Sequence, residues 1–277
     1  MISSPILNIA KKEILDNVRN KWVIILTIIF ASLTLVVSYF GSIFSQGWQD
    51  FGVTIAGMMN LVQFLIPIIG LMLGYASIIG EIEKGSMSSL LSLPVARLEI
   101  ILGKFFGLGG VLSFTIFIGF GIAGIVIGAN VSDVNYLDYL IFIGATILLG
   151  LVFLILAMFF STIFKKRSAS MGLAVFLWFF FNMILPIIFF GIMTASIGIE
   201  GLASGDFPEW YHALTLLNPL SVYSALVSLN VGPVSTIEGI SISYPAFYSS
   251  GVMILILLIW IVGFLLLTFW RFNRSDI

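Results

Sequence analysis

The chain has 277 residues, of which 60% are hydrophobic and 9% are charged. Soluble globular domains carry about a quarter charged residues, so this composition predicts an integral membrane protein. The formal net charge of −1 provides no basic surface for nucleic acid, and the absence of cysteine excludes disulfides, thiolate metal sites and cysteine nucleophiles.

Residues 1–21 combine apolar with charged side chains. The apolar residues recur at the spacing of one helix face, which predicts an amphipathic helix lying on the inner leaflet of the membrane. A basic segment that only sets the membrane topology is the alternative interpretation. The apolar positions are Ile6, Leu7, Ala10, Ile14 and Val18.

Long apolar runs follow this first segment. A helix needs about 20 apolar residues to cross the hydrocarbon core of a bilayer. The runs are too long for β-barrel strands and lack the alternation of such strands. We therefore predict an all-α, polytopic membrane protein that forms a single domain over residues 1–277. The six predicted transmembrane helices are residues 22–44, 53–79, 105–129, 137–164, 169–199 and 248–270.

Two of the predicted spans contain proline. Pro67 in the second span and Pro186 in the fifth each remove a backbone N–H, which predicts a kink at both positions. Both spans are also longer than the bilayer requires. We expect them to be tilted, broken or extended beyond the membrane.

The basic residues predict the orientation of the chain. With these six spans, all twelve Lys and Arg residues fall on one side of the membrane. The positive-inside rule assigns that side to the cytoplasm. Both termini and the loop 80–104 are therefore predicted to be cytoplasmic, and the loop 200–247 is predicted to be extracytoplasmic.

The outer loop, residues 200–247, is not uniformly polar. Residues 210–229 are too apolar for a solvated loop and are interrupted by Asn218-Pro219. Because a proline would break a single helix there, we predict two short helices dipping into the outer interface.

The inner loop, residues 80–104, balances acidic against basic residues around three leucines. Leu90, Leu91 and Leu93 lie outside the predicted spans. Apolar residues bounded by charge indicate a short helix that docks in the groove of a partner protein. A helix lying flat on lipid is the alternative.

Other motifs were weighed for chemistry. The segment GEIEKGS, residues 80–86, has glycines at a P-loop-like spacing but lacks the lysine that grips phosphate, so no nucleotide site is predicted. The apolar cores of the spans contain no ionisable residue, which argues against a proton-coupled carrier and leaves no catalytic set for an enzyme. The ten Met residues and the single His are interpreted as ordinary residues and not as metal ligands.

Uncharged polar residues and glycines also occur inside the spans. Asn60, Gln63 and Asn182 either line a conduit or bond between helices, of which helix packing is the more common role. Glycines four residues apart favour close helix approach and, through it, dimerisation. These pairs are Gly70 with Gly74, Gly103 with Gly107, and Gly124 with Gly128.

Several segments together resemble a known family. They are NIAKKEILDNVRNKW before the first span, GEIEKGS followed by LLSLPVAR and ILGK in the inner loop, and the long outer loop before the last span. With six spans and both ends inside, this pattern resembles the ABC-2 type permeases over nearly the whole chain, most strongly over residues 8–107. Within that family, FLIPIIGLMLGYASIIGE and LLNPLSVY resemble the NosY-type permeases of the copper-processing transporter that serves nitrous oxide reductase maturation.

This resemblance implies a non-catalytic, multi-pass subunit of the cell membrane that works as a homodimer with two separately encoded ATP-binding cassette subunits. ATP and Mg²⁺ would be bound by those partners, and no cofactor by this chain. The complex would either export a substrate or pass motion to an extracytoplasmic partner protein. A secondary carrier or channel without an ATPase is the alternative. By resemblance, coupling to the ATPase falls to Glu81, Glu83, Gly85, Ser86, Leu90, Leu91, Pro94 and Arg97.

Overall fold

The computed structural model describes residues 5–18, 25, 28, 29, 32–36, 39, 51–130, 135–204, 207–231, 236, 237, 240, 241 and 244–275. The first predicted span, residues 22–44, lies largely outside this part of the chain, and the side chains of residues 51–54, 130, 199–204 and 236–241 lie outside it as well.

The described residues are almost entirely helical, as predicted for an all-α protein. A two-residue antiparallel hairpin, with β1 at Thr236–Ile237 and β2 at Ile240–Ser241, is an exception in the outer loop; it pairs Thr236 with Ser241 and Ile237 with Ile240. The helices are α1 (Pro5–Val18), α2 (Phe51–Gly74), α3 (Ile79–Glu83), α4 (Ser86–Leu91), α5 (Arg97–Asn130), α6 (Tyr136–Ser161), α7 (Arg167–Phe179), a π-helical turn (Phe180–Ile184), α8 (Leu185–Ser204), α9 (Glu209–Thr215), α10 (Pro219–Val231) and α11 (Ser250–Asn273).

Five helical segments are long and apolar enough to cross a membrane, at residues 55–83, 97–129, 136–161, 167–198 and 250–273. They correspond to the second to sixth predicted spans. The pair α9 and α10 passes the same test only as one span broken by a bend of 113°. The total of six spans stays a prediction, because the first predicted span is largely not described.

Helix α6 lies at the centre of the bundle. It is apolar on all sides, so it is stable when other helices or lipid surround it on every side. It packs against α2, α5, α10 and α11. Leu149, Val152 and Phe153 are among its fully buried residues. The other spans expose more apolar surface, as lipid-facing helices do.

The predicted amphipathic helix forms α1, but the face that it buries differs from the predicted one. Ile9, Ala10 and Glu13 are buried against α5, whereas Leu7 and Val18 are exposed. Close approach to α5 is possible because Gly103 and Gly107 present no side chain to α1. Of the predicted apolar positions, Ala10 faces α5, whereas Leu7, Ile14 and Val18 form an exposed apolar side.

The fifth predicted span stays helical over residues 167–198, but its helical pitch changes within it. A π-helical turn at Phe180–Ile184 directly precedes Pro186, and Gly198 adopts φ 68° inside α8. The proline cannot donate a backbone hydrogen bond, which favours a local change of helical pitch. The second span ends at Gly74 and continues, after a turn, as α3.

The outer loop contains the two predicted short helices, α9 and α10, separated at Asn218-Pro219. Their depth differs from the prediction. Tyr223, Val222 and Val227 of α10 are fully buried against α6 and α11, so α10 enters the bundle instead of resting at the interface.

The inner loop is shorter than the predicted residues 80–104. Helix α5 already begins at Arg97, and the Glu99 carboxylate accepts a hydrogen bond from the backbone N–H of Ala96 at 2.8 Å. This capping contact satisfies an N-terminal donor of the helix, so the helix extends beyond the apolar run. Lys104 consequently lies inside α5 and is buried, not in a loop.

Candidate functional site

Helices α3 and α4 form a corner at one end of the bundle. Gly85 joins them with φ 73°, a backbone conformation that glycine adopts without strain. The backbone N–H groups of Ile78 and Ile79 donate to Ser161 Oγ at 3.2 Å and 3.0 Å, so the end of α6 caps the start of α3. Met87 of α4 is fully buried.

A small apolar cluster holds α4 against the bundle. Met87 packs with Ile78, Ile101 and Phe272, and Leu90 and Leu91 cover this cluster partly buried. The cluster therefore joins α4 to α5 and α11. The opposite side of α4 and the turn after it are exposed, and Leu93 exposes 54% of its surface. The other exposed residues there are Ser86, Ser88, Ser89, Ser92 and Pro94.

An ion cluster ties the corner to α1 and α5. Lys104 Nζ lies 2.7 Å from Glu13 Oε1 and 2.9 Å from Glu81 Oε2, and Lys12 Nζ lies 3.2 Å from Glu81 Oε1. The Lys104 side chain is only 1% exposed. A buried ammonium without a counter-charge is strongly unfavourable, so its two carboxylate partners are needed to keep it there.

The charge of Lys12 is favoured by the same cluster. Burial by itself lowers the pKa of Lys12, but the Glu81 carboxylate, with Glu13 and Asp16 behind it, raises that pKa above its usual value. Lys12 is thus fully protonated at neutral pH.

Glu83 ties the corner to α7. Its Oε1 accepts a hydrogen bond from the backbone N–H of Arg167 at 2.7 Å, which places a carboxylate at the N-terminus of α7. The Arg167 guanidinium donates to the Tyr75 hydroxyl at 2.9 Å, and Ser170 Oγ donates to the Tyr75 carbonyl at 2.6 Å.

Arg97, the first residue of α5, ties the start of α5 beside the corner to the end of α11. Its Nη1 donates to the carbonyl oxygens of Phe272, Asn273 and Ser275 at 2.7, 3.1 and 3.1 Å. The guanidinium also lies 5.6 Å from the centre of the Phe272 ring. These carbonyls lie at the C-terminal end of α11, where a cation stabilises the helix dipole.

These contacts make the corner a rigid unit. Helices α3 and α4 are bonded or packed to α1, α5, α6, α7 and α11, while the side of α4 opposite Met87 is exposed. Such an arrangement is suited to receive a force on α4 and to distribute it over several helices.

Comparison with known proteins decides the family. Residues 7–277 match the family model described as ABC-2 family transporter protein. The chain belongs to this family. It is an ABC-2 type permease, a multi-pass protein of the cell membrane.

Two relatives of this ABC-2 permease carry the name probable ABC transporter permease protein NosY. The one from Stutzerimonas stutzeri is 34% identical over 275 residues, which cover 96% of this chain and 97% of the relative. The one from Pseudomonas aeruginosa is 36% identical over 221 residues, which cover 78% of each chain. The resemblance to NosY-type permeases is therefore confirmed.

The eight residues assigned to coupling by resemblance all lie in this corner of the ABC-2 permease or beside it. Glu81 belongs to the ion cluster, Glu83 caps α7 and Gly85 forms the turn. Ser86 begins α4, and its hydroxyl donates to the Glu81 carbonyl at 3.3 Å. The remaining four divide by exposure: Leu90, Leu91 and Arg97 are partly buried and Pro94 is exposed.

The structure changes the interpretation of Leu90 and Leu91. They were expected to be exposed leucines available to a partner, but both pack on the cluster around Met87 and Phe272. Leu93 is the leucine that remains exposed. The helical pattern explains this, because residues 87, 90 and 91 share one face of α4.

Sequence reasoning missed Glu13, Lys104, Ser161 and Phe272. Their partners are distant along the chain, so no local motif connects them. One local signal pointed to Lys104. It directly follows Gly103, the glycine at which α1 approaches α5, so it lies beside that helix contact.

The predicted conduit or interface residues are not gathered into a polar site. Asn60 and Asn182 each donate to a backbone carbonyl four residues earlier on the same helix, at 3.3 Å and 3.1 Å. Gln63 is partly buried on α2. A role for them in conduction stays a prediction.

The three glycine pairs do mediate close helix approach, as predicted, but within one chain. A Cβ at Gly74 would lie 2.6 Å from Ala157 Cβ of α6, and one at Gly124 would lie 2.5 Å from Tyr139. Gly103 and Gly107 face α1. Because these surfaces are already covered, they no longer support dimerisation.

Proposed function

We propose that this ABC-2 permease couples ATP hydrolysis by a separate cassette subunit to movement of its spans. The observation that supports this is that the inner corner, formed by α3 and α4, is joined to several long helices, with α4 itself packed on α5 and α11 through Met87. The ion cluster reaches α1 and α5, Glu83 reaches α7, and Arg97 reaches α11. A displacement of α4 therefore moves whole spans, as in a rigid-body switch.

The docking surface for the cassette is the exposed side of α4 and the turn that follows it. Leu93 is its apolar anchor, and the exposed Ser88, Ser89 and Ser92 lie on the same short segment. Burying a leucine side chain contributes about 1.5–3 kcal/mol. Leu90 and Leu91 have a different role, which is to hold α4 on the bundle.

The proposed assembly has two copies of this chain and two cassette subunits, which bind ATP and Mg²⁺. This assembly is supported only by membership of the ABC-2 family. The glycine pairs do not support it, because they face helices of the same chain. Six spans with both termini in the cytoplasm complete the proposal, supported by the distribution of Lys and Arg.

Similarity to the NosY permeases extends the proposal to the outer side. We infer that the complex exports a substrate or passes motion to an extracytoplasmic partner, in the maturation of a copper enzyme. The buried α10 supports this, because a helix inserted between α6 and α11 moves when those spans move.

The test begins with purification of the tagged chain from its native membrane. A P-loop ATPase is expected at one copy per chain, and its ATP turnover should change when the permease is present. An active transporter lacking any ATPase would instead establish the carrier or channel alternative.

A substitution then tests the docking surface. We expect Leu93→Asp to reduce the affinity for the purified cassette about ten-fold or more, because it replaces the buried anchor with a carboxylate. Leu217→Asp is the matched control, since Leu217 is equally exposed but lies between α9 and α10. Unchanged affinity in Leu93→Asp would contradict the proposed surface. Leu91→Asp is less informative, because it also disturbs packing within the chain.

A further inference from the structure

The last helix, α11, is held at both of its ends by specific contacts. At the inner end, Arg97 binds the carbonyls of the last turn, and Phe272 is fully buried against Met87 of α4. Any displacement of α4 therefore acts directly on the end of α11.

The outer end of α11 is bonded to α10. The Asn230 amide nitrogen donates to Ser250 Oγ at 2.9 Å, and that hydroxyl donates back to Asn230 Oδ1 at 3.2 Å. Met253 and Leu257, one and two turns further along, are fully buried. The start of α11 and the end of α10 thus move together.

Between these ends, α11 is one unbroken helix of 24 residues. At 1.5 Å per residue it is about 36 Å long, enough to cross the whole bilayer. A continuous helix resists bending, since bending it would lengthen its backbone hydrogen bonds.

The fifth span also connects the inner corner to the outer pair, but its helical pitch changes at a π-helical turn. Its inner end is bonded to Glu83, and its π-helical turn accepts a hydrogen bond from the Asn218 amide to the Phe181 carbonyl at 2.9 Å. The π-helical turn and the kink at Gly198 offer points where this span bends. A displacement at its inner end is partly absorbed there.

We propose that α11 is the strut that transmits movement of α4 to the outer pair α9–α10, with Arg97 and the Asn230–Ser250 pair as its positioning residues. This inference rests on the proposed coupling function and adds the route by which that function reaches the outer side. In this proposal the fifth span bends at its π-helical turn while α11 shifts as a rigid body. The outer pair then rotates about Asn218-Pro219.

Two fluorescent probes separate the route from the coupling itself. The chain contains no cysteine, so an environment-sensitive fluorophore can be attached to Lys84→Cys beside α4 or to Leu217→Cys in the outer pair. Both positions are exposed. In the complete complex, trapping with ATP and vanadate should shift the emission of both probes. An unresponsive inner probe would overturn the proposed function, and an unresponsive outer probe beside a responsive inner one would overturn the strut.

The variant Arg97→Gln removes the hydrogen bonds that fix the inner end of α11 on α5, and Asn230→Ala removes those that fix its outer end on α10. We expect the shift of the inner probe to persist and that of the outer probe to fall to less than half. Arg274→Gln is the control, because it removes the same charge at the same helix end, where the Arg274 guanidinium lies 4.5 Å from the centre of the Trp270 ring. It should leave both shifts unchanged.

Asn230→Ala decides the result if Arg97→Gln fails to assemble, since Asn230 lies far from the cassette. Ser250→Ala should reproduce its effect. A full outer shift in Asn230→Ala and Ser250→Ala would overturn the proposal. Loss of that shift in Asn218→Ala alone would assign transmission to the fifth span instead.

Discussion

Lys104 Nζ lies 2.7 Å from Glu13 Oε1, which joins a buried residue of α5 to a residue of α1 that is 91 positions earlier in the chain. Glu81 supplies the second carboxylate, at 2.9 Å. These three residues therefore connect α1, α3 and α5 at a single point.

Removal of the buried cation should destabilise the protein. In Lys104→Met, the Glu13 and Glu81 carboxylates face each other without their shared counter-charge, a loss on the order of 3 kcal/mol. We expect a lower melting temperature in detergent and a partial recovery in the double variant Glu13→Met/Lys104→Met. Lys84→Met, at an exposed position, should melt like the wild type. Equal melting temperatures for Lys104→Met and Lys84→Met would refute a structural role for the cluster.

Packing of α1 on α5 should depend on the absence of a side chain at Gly107. A Cβ there would lie 2.6 Å from Glu13 Cβ and 2.8 Å from the Ala10 carbonyl oxygen. Gly107→Ala should therefore displace α1 and cost about 1–3 kcal/mol of stability. In Gly121→Ala the new methyl meets nothing within 4 Å, so this variant is the matched control. The measurement is the melting temperature together with the rate of proteolysis within residues 5–18, and similar behaviour of both variants would argue against the contact.

Above neutral pH, the contribution of Lys12 should be lost only in the alkaline range. Its pKa is raised in the folded protein, so the stabilisation is complete below the unfolded pKa of about 10.4 and is lost as the pH rises through the folded value. We expect the difference in melting temperature between wild type and Lys12→Met to be constant from about pH 7 to 10 and to shrink above that range. A difference that shrinks already on acidification below pH 7, with no change at alkaline pH, would contradict this assignment.

The proposed orientation can be tested by labelling single cysteines on intact cells. Leu217→Cys should react with an impermeant maleimide, and Lys166→Cys should react only after the membrane is permeabilised, because all Lys and Arg are assigned to the cytoplasm. Both residues are exposed, so access is limited only by the membrane. The reverse pattern would invert the topology.

The sequence by itself determined the class of protein and the positions of five spans. Transfer of a helix into lipid depends on the composition of about 20 consecutive residues, which is local information. The same holds for the break at Asn218-Pro219, because a proline disrupts the helix in which it stands. The short helix at residues 86–91 was also predictable from its leucines bounded by charges.

Only the tertiary structure decided which surfaces of these helices meet. The three glycine pairs indicated close approach but not the partner, and the partners proved to be helices of the same chain. Lys104 was assigned to a loop because the third predicted span begins at residue 105, yet the residue is buried inside α5, where Glu13 and Glu81, 91 and 23 positions away, compensate its charge. Compensation of this kind depends on distances in space between residues far apart in sequence, and no local pattern contains them.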